Sequence, residues 1–350
     1  RLLDRLGVDS QPSDMSFSVS CERTGLEYNG GSFRQLLARK RNALSPRFWM
    51  MLRDILRFYR ESPGLLESDE GELPLGEYLR REGYSSAFVD WHIVPMGAAV
   101  WSTSVDRMLT FPARFFVRFF HNHGFLSVQD RPTWRAIRGG SRSYAAALTA
   151  PYRDRIRLSS PIERIARHRD RVEVQAAGRP PESFDHVIIA AHSDQALAML
   201  SDPSEAEREV LGAIHYQSNR TLLHTDDTVM PRRRPAWASW NYHIPREPGG
   251  GVSLTYWMNS LQTLDGPTNY LVSLNPTRPI APDKILEEMM YEHPLFTPEA
   301  VAAQKRHGEI SGVRRTHYCG AYWRYGFHED GVVSALEAVR PFGKHRELAA

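Results

Sequence analysis

Apolar positions in the first 150 residues recur mostly at helical spacing, after one short exception. Phe17 and Val19 alternate with serines, and Leu26 and Tyr28 follow Gly25, which predicts a hairpin turning near residues 22–24. From Gly31 the period changes. Phe48, Leu52, Ile55, Leu56 and Tyr59 fall at i, i+4, i+7, i+8 and i+11, one face of a helix that Pro63-Gly64 ends. Further helices are expected at residues 75–81, 85–93 and 112–120. The middle of the chain reads differently. Short β-type runs at 156–158, 162–166 and 172–174 lead into Asp185-His186-Val187-Ile188-Ile189-Ala190-Ala191. That unbroken Val/Ile run predicts a strand of a parallel sheet, buried on both faces. Residues 193–200 then read as a helix. Strands are expected at 221–225, 236–242, 252–257 and 270–274, and helices at 283–291 and 298–306. A last strand near 316–319 runs through a glycine-punctuated turn into a helix starting near Gly331 and carrying Val333, Leu336, Val339 and Phe342.

At 350 residues the chain is long enough for about two domains. Apolar residues make up 41% and aromatics 11%, which excludes disorder as the dominant state. The net charge of +3 is too small for a dedicated nucleic-acid surface. Cys21 and Cys319 are the only cysteines, so neither a disulfide framework nor a four-cysteine metal site can form, and a reducing, cytoplasmic location is expected. The charge-free stretches 91–105 and 248–264 carry too many polar residues, glycines and prolines for a membrane helix. The opening at Arg1, with Leu2, Leu3 and Leu6 but no signal-peptide pattern, reads like the inside of a longer sequence.

Chemistry concentrates near the C-terminus. Between Thr316 and Leu336 the order is strand, loop with Gly320, Gly326 and Gly331, then helix. A helix N-terminus offers unpaired N–H groups and partial positive charge, suited to a phosphate or the electron-rich edge of a reduced flavin. The plainer reading is that Glu329 and Asp330 cap the helix. His121-Asn122-His123 resembles a nuclease triplet, but it ends an apolar helix and lacks scattered metal-binding partners. Arg232-Arg233-Arg234 reads as a solvated loop, with an anionic headgroup or membrane surface as the alternative. The 111–120 phenylalanines read as core or as the lining of an acyl-chain tunnel. Trp134 and the Tyr322, Trp323, Tyr325 cluster could wall a ring system or simply pack.

The 316–336 stretch is similar to the last FAD-binding motif of flavin amine-oxidase-like and phytoene-desaturase-like enzymes. It looks closest to the bacterial FAD-dependent oxidoreductases encoded beside cyclopropane-fatty-acid synthases. Residues 15–30, 119–126 and 134–148 support the resemblance, and Ser159-Ser160-Pro161-Ile162 with residues 188–191 resembles the family's second FAD segment. The resemblance implies an α/β flavoprotein: a Rossmann-like FAD domain interleaved with a mixed helical and antiparallel-sheet substrate domain. Residues 1–138 and 217–308 would form the substrate domain, and 139–216 and 309–350 the FAD domain. The family's opening GxGxxG turn is absent, so the first βαβ unit is expected to be missing. The implied cofactor is FAD. Its contacts would be Ile162, Ala190, Ala191, Gly320, Ala321, Gly331, Val332 and Val333, with Gly331 and Val332 supplying amides. His328 and Glu329 are the expected proton-handling side chains, because they adjoin that helix N-terminus, and no metal is expected. Lys284 is the only lysine across 211–304, and Gly320-Ala321 replaces the family's Gly-Glu. Both favour hydride exchange with a carbon–carbon bond of a fatty acyl or other lipid substrate over amine oxidation. The alternatives are amine oxidation proper, or a non-catalytic docking or lipid-carrying partner of a fatty-acid-modifying synthase. The expected location is cytoplasmic, peripheral at the membrane surface.

Overall fold

The computed structural model describes residues 2–68, 73–127, 132–247 and 252–343. Arg1, Gly249-Gly250-Gly251 and Lys344 lie outside these described residues. The chain folds as two units, residues 1–154 with 218–293, and residues 155–217 with 294–350.

The first unit is built on a seven-stranded sheet. Its order is Ile285–Pro294, Tyr216–His224, Leu271–Leu274, Leu254–Trp257, Trp240–Ile244, Phe17–Cys21, Glu27–Asn29. The last two strands form the expected hairpin, and Trp240–Ile244 runs parallel to Phe17–Cys21. Helix Pro46–Glu61 packs beside them, its N-terminus capped by the Ser45 hydroxyl, which accepts from the Phe48 N–H. Phe48, Met51 and Phe58 form its buried face. Leu52, Ile55, Leu56 and Tyr59, which the spacing assigned to the same stripe as Phe48, border a cavity instead.

Residues 283–291 are not a helix. Pro282–Lys284 is a 3-10 turn, and Ile285–Pro294 is an edge strand. Leu286-Glu287-Glu288-Met289-Met290 has helix-forming composition, but pairing along Tyr216–His224 decides the outcome. Glu288 accepts from Arg220 across that edge at 2.7 Å. Nor do the 111–120 phenylalanines line a tunnel. Phe111, Phe116, Phe119 and Phe120 are at most 1% exposed. Phe116 stacks on Phe120 at 4.1 Å, and the Trp101 ring meets Phe111, Phe116 and Phe119. The helix is apolar on more than one side because it fills an aromatic core. His123 closes that core, its ring 4.0 Å from Phe119 and its Nδ1 2.8 Å from the Phe119 carbonyl. Among the described residues no group of three or more side chains could hold a metal ion.

The second unit carries an antiparallel sheet, Ile162–Arg167, Val172–Ala176, Glu182–Phe184, and a parallel pair, Val187–Ile189 with Thr316–Tyr318. Two β expectations fail here. Residues 156–158 pair with no described strand, and Leu158 is 83% exposed. The Val187–Ile189 strand is covered on one face only: Ile189 packs into the unit's core, whereas Ile188, on the opposite face, is 41% exposed because no layer of the described residues covers it. The unit's core gathers Ile165, Val172, Ile189, Val210, Leu211 and Tyr318. An ionic network is buried against it. Arg167 pairs with Glu207 and Asp202, and Glu207 also accepts from Tyr318 at 2.6 Å.

Candidate functional site

The eight expected FAD contacts and the pair His328 and Glu329 all fall in the second unit. Ile162 opens strand Ile162–Arg167. Its side chain packs on the cluster that contains Ile189. Because Val187–Ile189 and Thr316–Tyr318 run parallel in register, both strands leave the sheet at the same end. Cys319 N–H donates to the Ile189 carbonyl at 3.0 Å, so Ala190-Ala191 and Gly320-Ala321 are brought alongside each other. Ligands of α/β folds bind beyond such carboxyl ends. The Gly320 N–H donates to Ser334 Oγ at 2.9 Å, which ties helix His328–Val339 to this loop. A Cβ at Gly320 would collide with the Tyr322 ring, so glycine is required for that close approach. At Gly331 the nearest neighbour of an added Cβ is Ala321, at 4.0 Å, which leaves open space.

The helix start differs from the expected one. It lies at His328, three residues before Gly331, because the Asp330 carboxylate accepts from the Phe327 N–H at 3.0 Å. The Gly331 N–H already donates to the Phe327 carbonyl at 3.1 Å. Its amide is therefore part of the helix ladder, and Val332 and Val333 lie still further along. The helix's first turn belongs to His328, Glu329 and Asp330. Two acidic residues there already complement the helix dipole, so this N-terminus is not built for a bare phosphate. His328 and Glu329 are not buried, whereas Asp330 is.

The first unit holds a cavity of about 510 Å³, walled in part by the 15–30, 119–126 and 134–148 segments through Tyr28, Phe125 and Trp134. Helix Pro46–Glu61 supplies Leu52, Ile55, Leu56 and Tyr59 to its wall. Met96, Val100, Phe125, Trp134 and Trp240 close other sides. Among the wall's described residues Asp14 is the one carboxylate, and there is no lysine or arginine. Asp14 accepts hydroxyls from Ser16, Ser239 (2.8 Å) and Ser260 (3.0 Å). Lys284 lies elsewhere, its Nζ 3.2 Å from Asp226.

Two other polar wall residues are coupled. Tyr28 donates its hydroxyl to the Trp91 carbonyl at 2.7 Å, which uses its single proton. His92 Nδ1 stands 3.1 Å from the same oxygen and must therefore be the donor, leaving the lone pair on Nε2. Burial, with the nearby Tyr59, pushes the Tyr28 phenol well up, so it keeps that proton at neutral pH. His92 sits on a π-helical turn, Val89–Ile93, a distortion frequent at functional positions. In the sequence His92 showed only as a polar break in an apolar run. Its pairing with Tyr28, 64 residues away, is tertiary.

Known proteins share this fold. Residues 1–260 match the profile of the flavin containing amine oxidoreductase family. Among solved structures, a CLA-producing fatty acid isomerase from P. acnes is similar at 15% identity, covering 98% of this chain and 83% of its own, with a TM-score of 0.66. Cyclohexylamine oxidase from Brevibacterium oxydans IH-35A is similar at 13% identity, covering 100% and 85%, with a TM-score of 0.61. Reduced UDP-galactopyranose mutase follows at 12% identity, covering 99% and 82%, with a TM-score of 0.63. At such identities the likeness is one of fold. No curated protein matches the sequence. No helix among the described residues is long and apolar enough to cross a membrane. The chain belongs to the flavin containing amine oxidoreductase family and is an FAD-dependent oxidoreductase.

Proposed function

We propose that the first unit's cavity holds the acyl chain of a lipid and that the reaction is hydride exchange at one of its carbon–carbon bonds. The observation that carries this reading is the wall itself, aliphatic and aromatic with one carboxylate and no cationic side chain among its described residues. Such a lining favours a long apolar body over a small polar one. The fatty acid isomerase of the same fold supports it. His92 is the proton acceptor of this cavity, with Tyr28 holding its tautomer. Asp14 favours a second reading, in which the carboxylate receives a protonated amine, as the name of the cyclohexylamine oxidase suggests. Anaerobic titration of the flavin-loaded protein separates the two. An unsaturated fatty acid is expected to perturb the flavin spectrum and cyclohexylamine to leave it unchanged. Bleaching by the amine with release of ammonia would overturn the lipid reading.

FAD, when bound, supplies the hydride acceptor. The second unit's strand ends would hold it, with Ile162 beside the adenine and Ala190, Ala191, Gly320 and Ala321 allowing close backbone approach. The first turn of the helix, with Gly331 as open space behind it and Val332 and Val333 on the next turn, would face the ring system. His328 and Glu329 belong to that turn and are the proposed proton-handling pair beside the ring. Gly331→Ala is expected to keep both fold and flavin, since its methyl meets only Ala321. Gly331→Leu should lose most bound flavin, read as visible absorbance per protein, with far-UV dichroism unchanged. Full occupancy in Gly331→Leu would remove the site from this helix.

The cavity has its own test. Ile55→Trp adds bulk inside the wall; because Ile55 also packs against the core that holds Phe48 and Met51, an unchanged thermal transition is the folding control. Binding of an eighteen-carbon fatty acid, followed by tryptophan fluorescence, is expected to weaken by roughly tenfold or more. Unchanged affinity would mean that the chain binds elsewhere.

A further inference from the structure

The geometry points to docking of the face formed by residues 33–56 on an anionic lipid bilayer. Five large apolar side chains of this one segment are exposed: Phe33 by 66%, Leu44 by 83%, Trp49 by 45%, Met50 by 42% and Leu56 by 58%. Scattered exposed apolar residues are ordinary, but a cluster in one short segment marks an interaction surface. Trp49, Arg53 and Leu56 recur at i, i+4 and i+7 on helix Pro46–Glu61 and so share a stripe. The Trp49 indole N–H donates to the Ala43 carbonyl at 2.9 Å, fixing the ring beside the turn Lys40–Leu44 that carries Leu44.

Charge selects the partner. The segment carries Arg34, Arg39, Lys40, Arg41, Arg47 and Arg53 against one carboxylate, Asp54. Asp54 is fully buried, accepting from the Ser85 N–H at 2.9 Å and from Arg53 at 2.8 Å. The exposed charges of the segment itself are therefore all positive, with the exposed Asp90 of the neighbouring π-turn facing Arg47 as the nearby carboxylate. Apolar side chains entering the acyl boundary, with arginine and lysine at the headgroups, are the features of a monotopic contact. A second copy would bring like charges face to face. The Arg232-Arg233-Arg234 loop is a weaker candidate, because no exposed large apolar side chain accompanies its arginines. Leu52, Ile55 and Leu56 of the same helix wall the cavity. Entry of an acyl chain from the bilayer rests on the substrate reading above, whereas docking does not.

Sedimentation of the purified protein with phosphatidylcholine vesicles, with and without about one-third phosphatidylglycerol, tests this directly. Binding is expected to be roughly tenfold stronger or more on the anionic vesicles and to fall as salt rises. Leu44→Glu with Trp49→Glu should abolish most of it, and Arg34→Glu with Arg41→Glu likewise. All four side chains are exposed, so an unchanged thermal transition is expected and serves as the folding control. Arg232→Ala with Arg234→Ala should bind as the unaltered protein does. Turnover of a short, freely soluble acid should be unchanged in Leu44→Glu, so a failure of docking is read apart from a failure of the substrate assignment. Equal binding to both vesicles, or no effect of the Leu44 and Trp49 changes, would overturn the docking face. So would a solution dimer that those changes dissolve while no vesicle is bound.

Discussion

Glu207→Gln is expected to destabilise the second unit by about 3–5 kcal/mol, the cost of breaking a buried ion pair from one side. The carboxylate, with Arg167 opposite it fully buried, accepts from Arg167, from the Tyr318 hydroxyl at 2.6 Å and from the Ser204 N–H at 2.7 Å. Burial pushes its pKa up, but those three donors outweigh burial and bring it down to about 2 from an ordinary 4.5. The folded value lies below the unfolded one. Its contribution is therefore fully present above about pH 4.5 and is lost as pH falls from there towards 2, about 3 kcal/mol in all. Thermal unfolding followed against pH should show the variant lower by roughly 10 °C at neutral pH. The two curves should converge as acid protonates Glu207 in the unaltered protein. Equal transitions at pH 7 would show that the network contributes nothing. Glu182→Gln is the control, since its partner Arg157 is exposed and the pair should matter little.

His92→Gln is expected to lower turnover of an unsaturated fatty acid by about 10²-fold or more, the usual loss when a positioned base is removed. Tyr28→Phe should cost less, about tenfold, because it removes the acceptor that holds His92 Nδ1–H and leaves the imidazole in place. Affinity for the acyl chain should barely move in either variant, which separates a proton role from a wall role. His328→Gln is the companion measurement. A loss there with bound flavin retained would support the helix-terminal pair. An unchanged rate would remove that pair from the proton path. Unchanged turnover in His92→Gln would sink the cavity assignment.

Local pattern carried a good deal of this molecule. Helix Pro46–Glu61, the hairpin Phe17–Cys21 with Glu27–Asn29, and the strand–turn–helix from Thr316 to Val339 all follow from periodicity, caps and turn residues lying within a few positions of one another. The residues brought together at the ends of the parallel strands were legible because they are carried by motif segments.

Contacts between distant segments account for the rest. Ile285–Pro294 became a strand because Tyr216–His224 had an open edge, and no spacing in residues 286–290 announces that. The 111–120 phenylalanines closed on Trp101 instead of lining a tunnel. Leu52, Ile55 and Tyr59 share one apolar period with Phe48, yet Phe48 lies in the core and the other three in the cavity wall. An apolar stripe marks which residues avoid water and is silent on whether the far side is packed or hollow. His92 is the sharpest case. Its tautomer is set by Tyr28 and the Trp91 carbonyl, and the π-turn that carries it has no local signature. The order of residues alone was enough for the family, the cofactor and most helices and strands. The cavity and its paired polar groups needed neighbours far apart in the chain, and the exposure of residues 33–56 is decided only in the folded molecule, because burial is a property of the assembled surroundings and not of the segment.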